Sequence, residues 1–70
     1  MNSEELIRMA NQIAEFFTPY AHDHAVKQIA QHIIDFWDPR MRAAMTETLN
    51  SGAEGLTDLA REGVELAVAR

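Results

Sequence analysis

Two histidines and an aspartate stand together at His22, Asp23 and His24, where their side chains could bind a metal ion. A tetrahedral site needs three or four converging ligands, and only His32 and Asp35 are available to complete the set. If a helix begins near Asp23, side chains two residues apart point about 200° away from each other, so the two histidines do not face one ion. We therefore expect these side chains to cap a helix and face solvent, with no metal site.

Residues for nucleophilic catalysis are equally sparse. The chain has no cysteine, and its only serines are Ser3 and Ser51, with no evident base beside either. Gly52 and Gly55 lack the preceding strand and the following lysine of a phosphate-binding loop, which predicts a simple connector. A chain without cysteine or a ligand cluster also cannot hold an iron–sulfur cluster or a haem in the usual ways. The sequence therefore predicts a protein with no catalytic, cofactor-binding or metal site of its own.

Charge and composition restrict the partners. Eleven acidic residues against six basic ones give a net charge of −5, which repels nucleic-acid phosphate and anionic lipid. No apolar run approaches the roughly 20 residues of a membrane span, and the first residues do not resemble a secretory signal. With 47% hydrophobic residues, the 70-residue chain should fold as a single helical domain over residues 1–70. We expect a cytoplasmic protein that binds neither nucleic acid nor membrane.

The elements that carry these residues are helices, because apolar residues recur every three or four positions. The pattern predicts an all-α fold, a compact bundle of three to four short helices at about 4–17, 24–37, 39–49 and 58–68. Ser3 is expected to cap the first helix. Asp38-Pro39 predicts a sharp boundary, with the aspartate capping the third helix and proline in its first position.

The fourth helix is the element with the weakest pattern. Gly63 lies in its middle, which costs roughly 1 kcal/mol relative to alanine unless the glycine permits close packing. Most of its apolar side chains are small, so we expect it to fray or to order on a partner. The glycines of the preceding loop leave its crossing angle undetermined, and Thr57 is expected to cap it.

A candidate partner-binding corner lies between the second and third helices, where aromatic and arginine side chains concentrate. Phe36 is expected to point to the core, whereas Trp and Arg are the residue types enriched in binding hot spots. A buried Trp and solvated Arg side chains are the plain alternative. The residues predicted to bind a partner are Ile34, Trp37, Asp38, Pro39, Arg40 and Arg42.

The sequence resembles a known family at these residues. The stretch 36–42, which reads Phe-Trp-Asp-Pro-Arg-Met-Arg, the opening helix at 6–17 and the segment 25–33 are similar to the delta subunit of soluble, NAD-dependent, molybdenum-containing bacterial formate dehydrogenases. The resemblance covers nearly the whole chain. One departure is Thr57-Asp58, where relatives are expected to carry an Asp-Pro helix start.

The resemblance implies a non-catalytic accessory subunit that binds chiefly the molybdenum-bearing alpha subunit and supports its assembly, stability or cofactor acquisition. The molybdenum cofactor, iron–sulfur clusters, FMN and NAD would then belong to the partner subunits. Two alternatives stay open from the residues alone. One is a self-associating bundle built on Ile7, Ile34 and Trp37, and the other is a small helical regulator, which the absence of a basic helix face disfavours.

Overall fold

The computed structural model of the chain describes residues 2–69 and contains four helices. They are α1 (Ser3–Phe17), α2 (His22–Phe36), α3 (Pro39–Asn50) and α4 (Asp58–Ala69). The predicted all-α bundle is confirmed, and all four of its helices form. The boundaries at 17, 39 and 58 were predicted correctly, whereas α2 begins two residues earlier than expected.

The start of α1 differs from the prediction in the residue that caps it. The Asn2 side chain accepts a hydrogen bond from the Glu5 backbone N–H at 2.9 Å, so asparagine is the N-cap. Ser3 is already helical, and its hydroxyl is hydrogen-bonded to that of Thr48 at 3.0 Å. The predicted cap at Ser3 is therefore wrong, and the serine instead ties the first turn of α1 to α3.

The end of α2 decides which aromatic residue is buried. Phe36 is the last helical residue, and Trp37 leaves the helix with an extended backbone, φ −90° and ψ 134°. This change of direction turns the Trp37 indole into the core, where it is only 5% exposed. Phe36 is 73% exposed, so the expectation that it points to the core is wrong.

The core lies between all four helices. Its largest fully buried side chains are Leu6, Ile29, Ile33, Met45 and Val64. Helices α2 and α4 share the most extensive contact of any pair, because small residues of α4 let the two backbones approach closely. Helix α4 was expected to fray, but it is the main packing partner of α2. Gly63 permits this close packing, because a side chain at that position would overlap Ile29.

The α3–α4 loop is held at both sides by side chains. Asn11 of α1 donates to the Gly55 carbonyl and accepts from the Thr57 backbone N–H, both at 3.0 Å. Arg61 of α4 donates to the Gly52 carbonyl at 2.9 Å. The Thr57 hydroxyl accepts from the Ala60 N–H at 3.3 Å, as predicted for a cap. These bonds define the crossing of α4 that the glycines alone left open.

No helix within residues 2–69 combines the length and the apolar character needed to cross a bilayer.

Candidate partner-binding surface

The corner between α2 and α3 has the predicted backbone structure. Asp38 Oδ1 accepts from the Met41 backbone N–H at 2.9 Å, and Pro39 occupies the first turn of α3, where its missing N–H costs no helical hydrogen bond. Both residues are exposed. Asp38 and Pro39 therefore start helix α3 and also remain accessible to a partner.

Three of the residues predicted to bind a partner have visible roles in the fold. Trp37 is buried, and Ile34 is half-buried against the core. The half-buried guanidinium of Arg42 donates to the carbonyl oxygens of Ile34 at 3.2 Å and Trp37 at 3.4 Å, where α2 ends. A cation there is favoured by the negative end of the helix dipole. These three side chains therefore help to hold the corner together, and their contact with a partner stays a prediction.

Arg40 is the predicted residue whose charged group remains free. Its side chain is exposed and has no hydrogen-bond or carboxylate partner among residues 2–69. It lines a shallow recess of about 360 Å³ together with Asp38, Met41 and Ala44. The corner therefore offers one unpaired cation next to the half-buried Met41.

A larger apolar surface lies beside this corner and was not predicted from the sequence. Phe16, near the end of α1, is 70% exposed, and Phe36 is 73% exposed. An open groove of about 460 Å³ lies between them, and we call it the Phe16–Phe36 groove. Its lining residues are Met9, Gln12, Ile13, Phe16, His32, Phe36, Trp37 and Met41.

The Phe16–Phe36 groove has few polar groups. Gln12 and His32 are the polar side chains of its lining, and no carboxylate, lysine or arginine is among the lining residues within the described chain. The His32 ring lies 4.7 Å from that of Phe36, centroid to centroid, at an interplanar angle of 36°. The groove can therefore accept apolar groups at little desolvation cost.

The histidine cluster does not assemble a metal site. His22 Nε2 lies 2.8 Å from Glu62 Oε2, joining the start of α2 to α4, and the His24 ring packs on Tyr20 with centroids 5.4 Å apart. In the described part of the chain, residues 2–69, no three His, Asp or Glu side chains come together in a way that could hold an ion.

Comparison with protein families decides the identity of the chain. Residues 5–64 match the family model described as the NADH-dependent formate dehydrogenase delta subunit FdsD. The chain belongs to this delta-subunit family. The resemblance noted in the sequence is thereby confirmed. Searches of curated proteins and of solved structures returned no significant match.

The delta-subunit match includes the whole surface described above. Every lining residue of the Phe16–Phe36 groove, the corner around Arg40 and the Asn11 clamp on the α3–α4 loop fall within residues 5–64. The groove is therefore built entirely from the segment that matches the delta-subunit family. The sequence holds two signals for the exposure of its flanking rings, but none for the groove itself. Phe16 lies at the margin of the α1 stripe, and Phe36 is the last residue before a helix boundary.

Proposed function

We propose that this chain is a non-catalytic accessory subunit of a cytoplasmic NAD-dependent formate dehydrogenase complex. It binds the alpha subunit, which carries the molybdenum cofactor, and supports its assembly, stability or cofactor acquisition. The iron–sulfur clusters, FMN and NAD of the complex belong to the larger subunits. The observation that carries this proposal is the match of residues 5–64 to the delta-subunit family.

The surface of the chain supports a binding role. A chain of 70 residues has few large apolar side chains with which to build its core. Leaving two phenylalanines largely exposed to water is therefore unusual, and exposed apolar surface of this kind often marks a binding site. Among the residues that the structure describes, the lining of the Phe16–Phe36 groove includes no carboxylate, lysine or arginine, which suits protein contact better than chemistry on a polar substrate.

Binding alone is sufficient for the proposed mechanism. A subunit that binds the assembled or cofactor-ready form of the alpha subunit, and not its unfolded form, raises the population of that form by mass action. The effect grows with the concentration of the small subunit relative to its dissociation constant. No proton, electron or group transfer by this chain is required.

The test is a deletion of the gene for this chain in its native cells, grown on formate. We expect less alpha subunit, less molybdenum per alpha subunit, or both, and restoration by a tagged copy of the chain. The tagged copy should also recover the alpha subunit, identified by mass spectrometry. Near-equal recovery indicates a permanent subunit, and trace recovery a transient maturation factor. Normal alpha subunit content and molybdenum loading in the deletion strain, together with no recovery, would overturn the proposal.

The alternative of a self-associating bundle was based on an exposed face formed by Ile7, Ile34 and Trp37. Ile7 and Ile34 are half-buried against the core and Trp37 is buried, so these three residues do not form an exposed face. A second function therefore has no specific observation in its favour.

A further inference from the structure

The Phe16–Phe36 groove is the strongest unpartnered feature of the molecule. Its two flanking rings come from different helices and are both more than two-thirds exposed, at 70% and 73%. Tyr20, the third large apolar residue that is exposed within residues 2–69, is 51% exposed and packs on Phe17 and His24 outside the groove. The groove therefore concentrates in one place the apolar surface that the fold leaves in water.

We propose that the Phe16–Phe36 groove is the docking surface for the alpha subunit, and that it receives apolar side chains of a segment whose surroundings are basic. This inference rests on the proposed function and adds the surface and the chemistry of the partner. The lining of the groove suits apolar side chains, because no carboxylate, lysine or arginine among its described residues must be desolvated when they bind. The recess of about 460 Å³ has room for a few aliphatic or aromatic side chains.

The area of the rings shows that the contact must extend beyond the groove. With roughly 200 Å² for a whole phenylalanine, the two rings expose roughly 300 Å². A stable interface buries roughly 800 Å² per partner, a large share of the 4483 Å² surface of this chain. The remaining contact must come from the surface around the groove, so the charge of that surface selects the partner.

Charge favours a basic partner over a second copy of this chain. The net charge is −5, and two copies would bring the same negative surfaces together across a two-fold axis. A partner with lysine and arginine around its apolar side chains would instead be attracted to the same surface. The recess that shares Met41 with the groove carries one exposed charge of each sign, Asp38 and Arg40, so the preference for a basic partner rests on the net charge of −5 and not on this recess.

The experiment uses the tagged chain expressed with the dehydrogenase subunits, and compares recovery of the alpha subunit. The test variant is Phe16→Ser with Phe36→Ser, and the matched control is Tyr20→Ser, which removes an exposed aromatic ring outside the groove. We expect the double variant to lower recovery at least about tenfold, as for aromatic hot spots, and Tyr20→Ser to stay within about twofold. Circular dichroism verifies that each variant is folded.

A second measurement does not depend on the folding of the double variant. A photoreactive benzoylphenylalanine placed at position 36 should crosslink to the alpha subunit, whereas the same group at the exposed position 65 of α4, a helix outside the groove lining, should not. The crosslinked peptide should contain apolar residues flanked by lysine or arginine. Association should also weaken as salt rises from about 0.05 to about 0.5 M, because ions screen the attraction between the two surfaces.

The outcomes separate this inference from the proposed function. If the wild-type chain recovers the alpha subunit and the folded double variant does so equally, the groove is not the docking surface and the accessory role stands. A crosslink from position 36 to a second copy, with sedimentation as a dimer, would also overturn the inference. If the wild-type chain recovers no alpha subunit at all, the proposed function itself fails.

Discussion

Gly63 of α4 lies directly against the side chain of Ile29 of α2. A Cβ atom placed on Gly63 would overlap Ile29 Cγ2 and lie 2.6 Å from Ile29 Cβ, closer than real Cβ atoms approach a neighbour. Ile29 is fully buried and Gly63 is buried in the same contact. The absence of a side chain at position 63 thus sets how closely α2 and α4 can pack, and these helices form the largest contact in the fold.

Gly63→Ala should therefore destabilise the chain, although alanine is the better helix former. The gain in helix propensity is about 1 kcal/mol, and overpacking a filled core costs typically about 1 to 3 kcal/mol. We expect a net loss of free energy of unfolding of about 1 kcal/mol, and a melting temperature lowered by several degrees. Thermal unfolding, monitored by circular dichroism, measures the change in melting temperature.

Two controls identify overlap with Ile29 as the cause. Glu65→Ala, at an exposed position of α4, should change the free energy of unfolding by less than about 0.5 kcal/mol. In the background of Ile29→Ala, which removes Cγ2 but keeps the Cβ atom 2.6 Å away, adding Gly63→Ala should cost less free energy of unfolding than it does in the wild-type chain. A higher melting temperature for Gly63→Ala alone would show that the two helices can move apart without cost.

Arg42 and Arg40 form a matched pair with different predicted effects. Arg42→Met removes the donor to the Ile34 and Trp37 carbonyl oxygens, and we expect it to lower the free energy of unfolding by about 1 to 2 kcal/mol. Arg40→Met, at an exposed side chain, should change it by less than about 0.5 kcal/mol. Urea unfolding of both variants checks this, and equal losses would contradict the structural role of Arg42.

Trp37 is the only tryptophan, so fluorescence reports its environment directly. Because the indole is 5% exposed, iodide should quench native emission weakly and quench it strongly after unfolding in urea. Trp37→Ala should cost about 3 to 5 kcal/mol, comparable to the whole stability of a small domain. Strong quenching of the native chain, with a folded Trp37→Ala variant, would place the indole on the surface.

The exchange of roles between Phe36 and Trp37 shows where sequence periodicity stops being informative. The apolar stripes predicted three to four helices, and four form, because the period of 3.6 residues applies along a continuous helix. The boundary at 39 came from the Asp38-Pro39 cap. At Trp37 the backbone becomes extended, so the direction of its side chain no longer follows from its neighbours. The Asp38-Pro39 pair indicates that the helix ends near this point. It does not indicate whether the Phe36 or the Trp37 ring is turned into the core.

The Phe16–Phe36 groove could not be predicted for a related reason. It needs the second half of α1, the end of α2 and the first turn of α3 to converge, and this depends on helix crossings rather than on any single stripe. The start of α2 was also beyond prediction, because Ala21 precedes it and no side chain caps it. Local chemistry predicts helices and caps, whereas a surface shared by three helices depends on their packing.

Asp38 allows its two possible roles to be separated experimentally. Asp38→Ala removes the acceptor for the Met41 N–H and should lower the free energy of unfolding by about 1 kcal/mol. Asp38→Asn keeps a capping oxygen and removes the negative charge, so we expect its stability to change little, since asparagine caps about as well. If the basic surroundings of a partner contact this carboxylate, Asp38→Asn should weaken recovery of the alpha subunit at low salt while the melting temperature is retained. Full recovery with Asp38→Asn would restrict the role of Asp38 to capping α3.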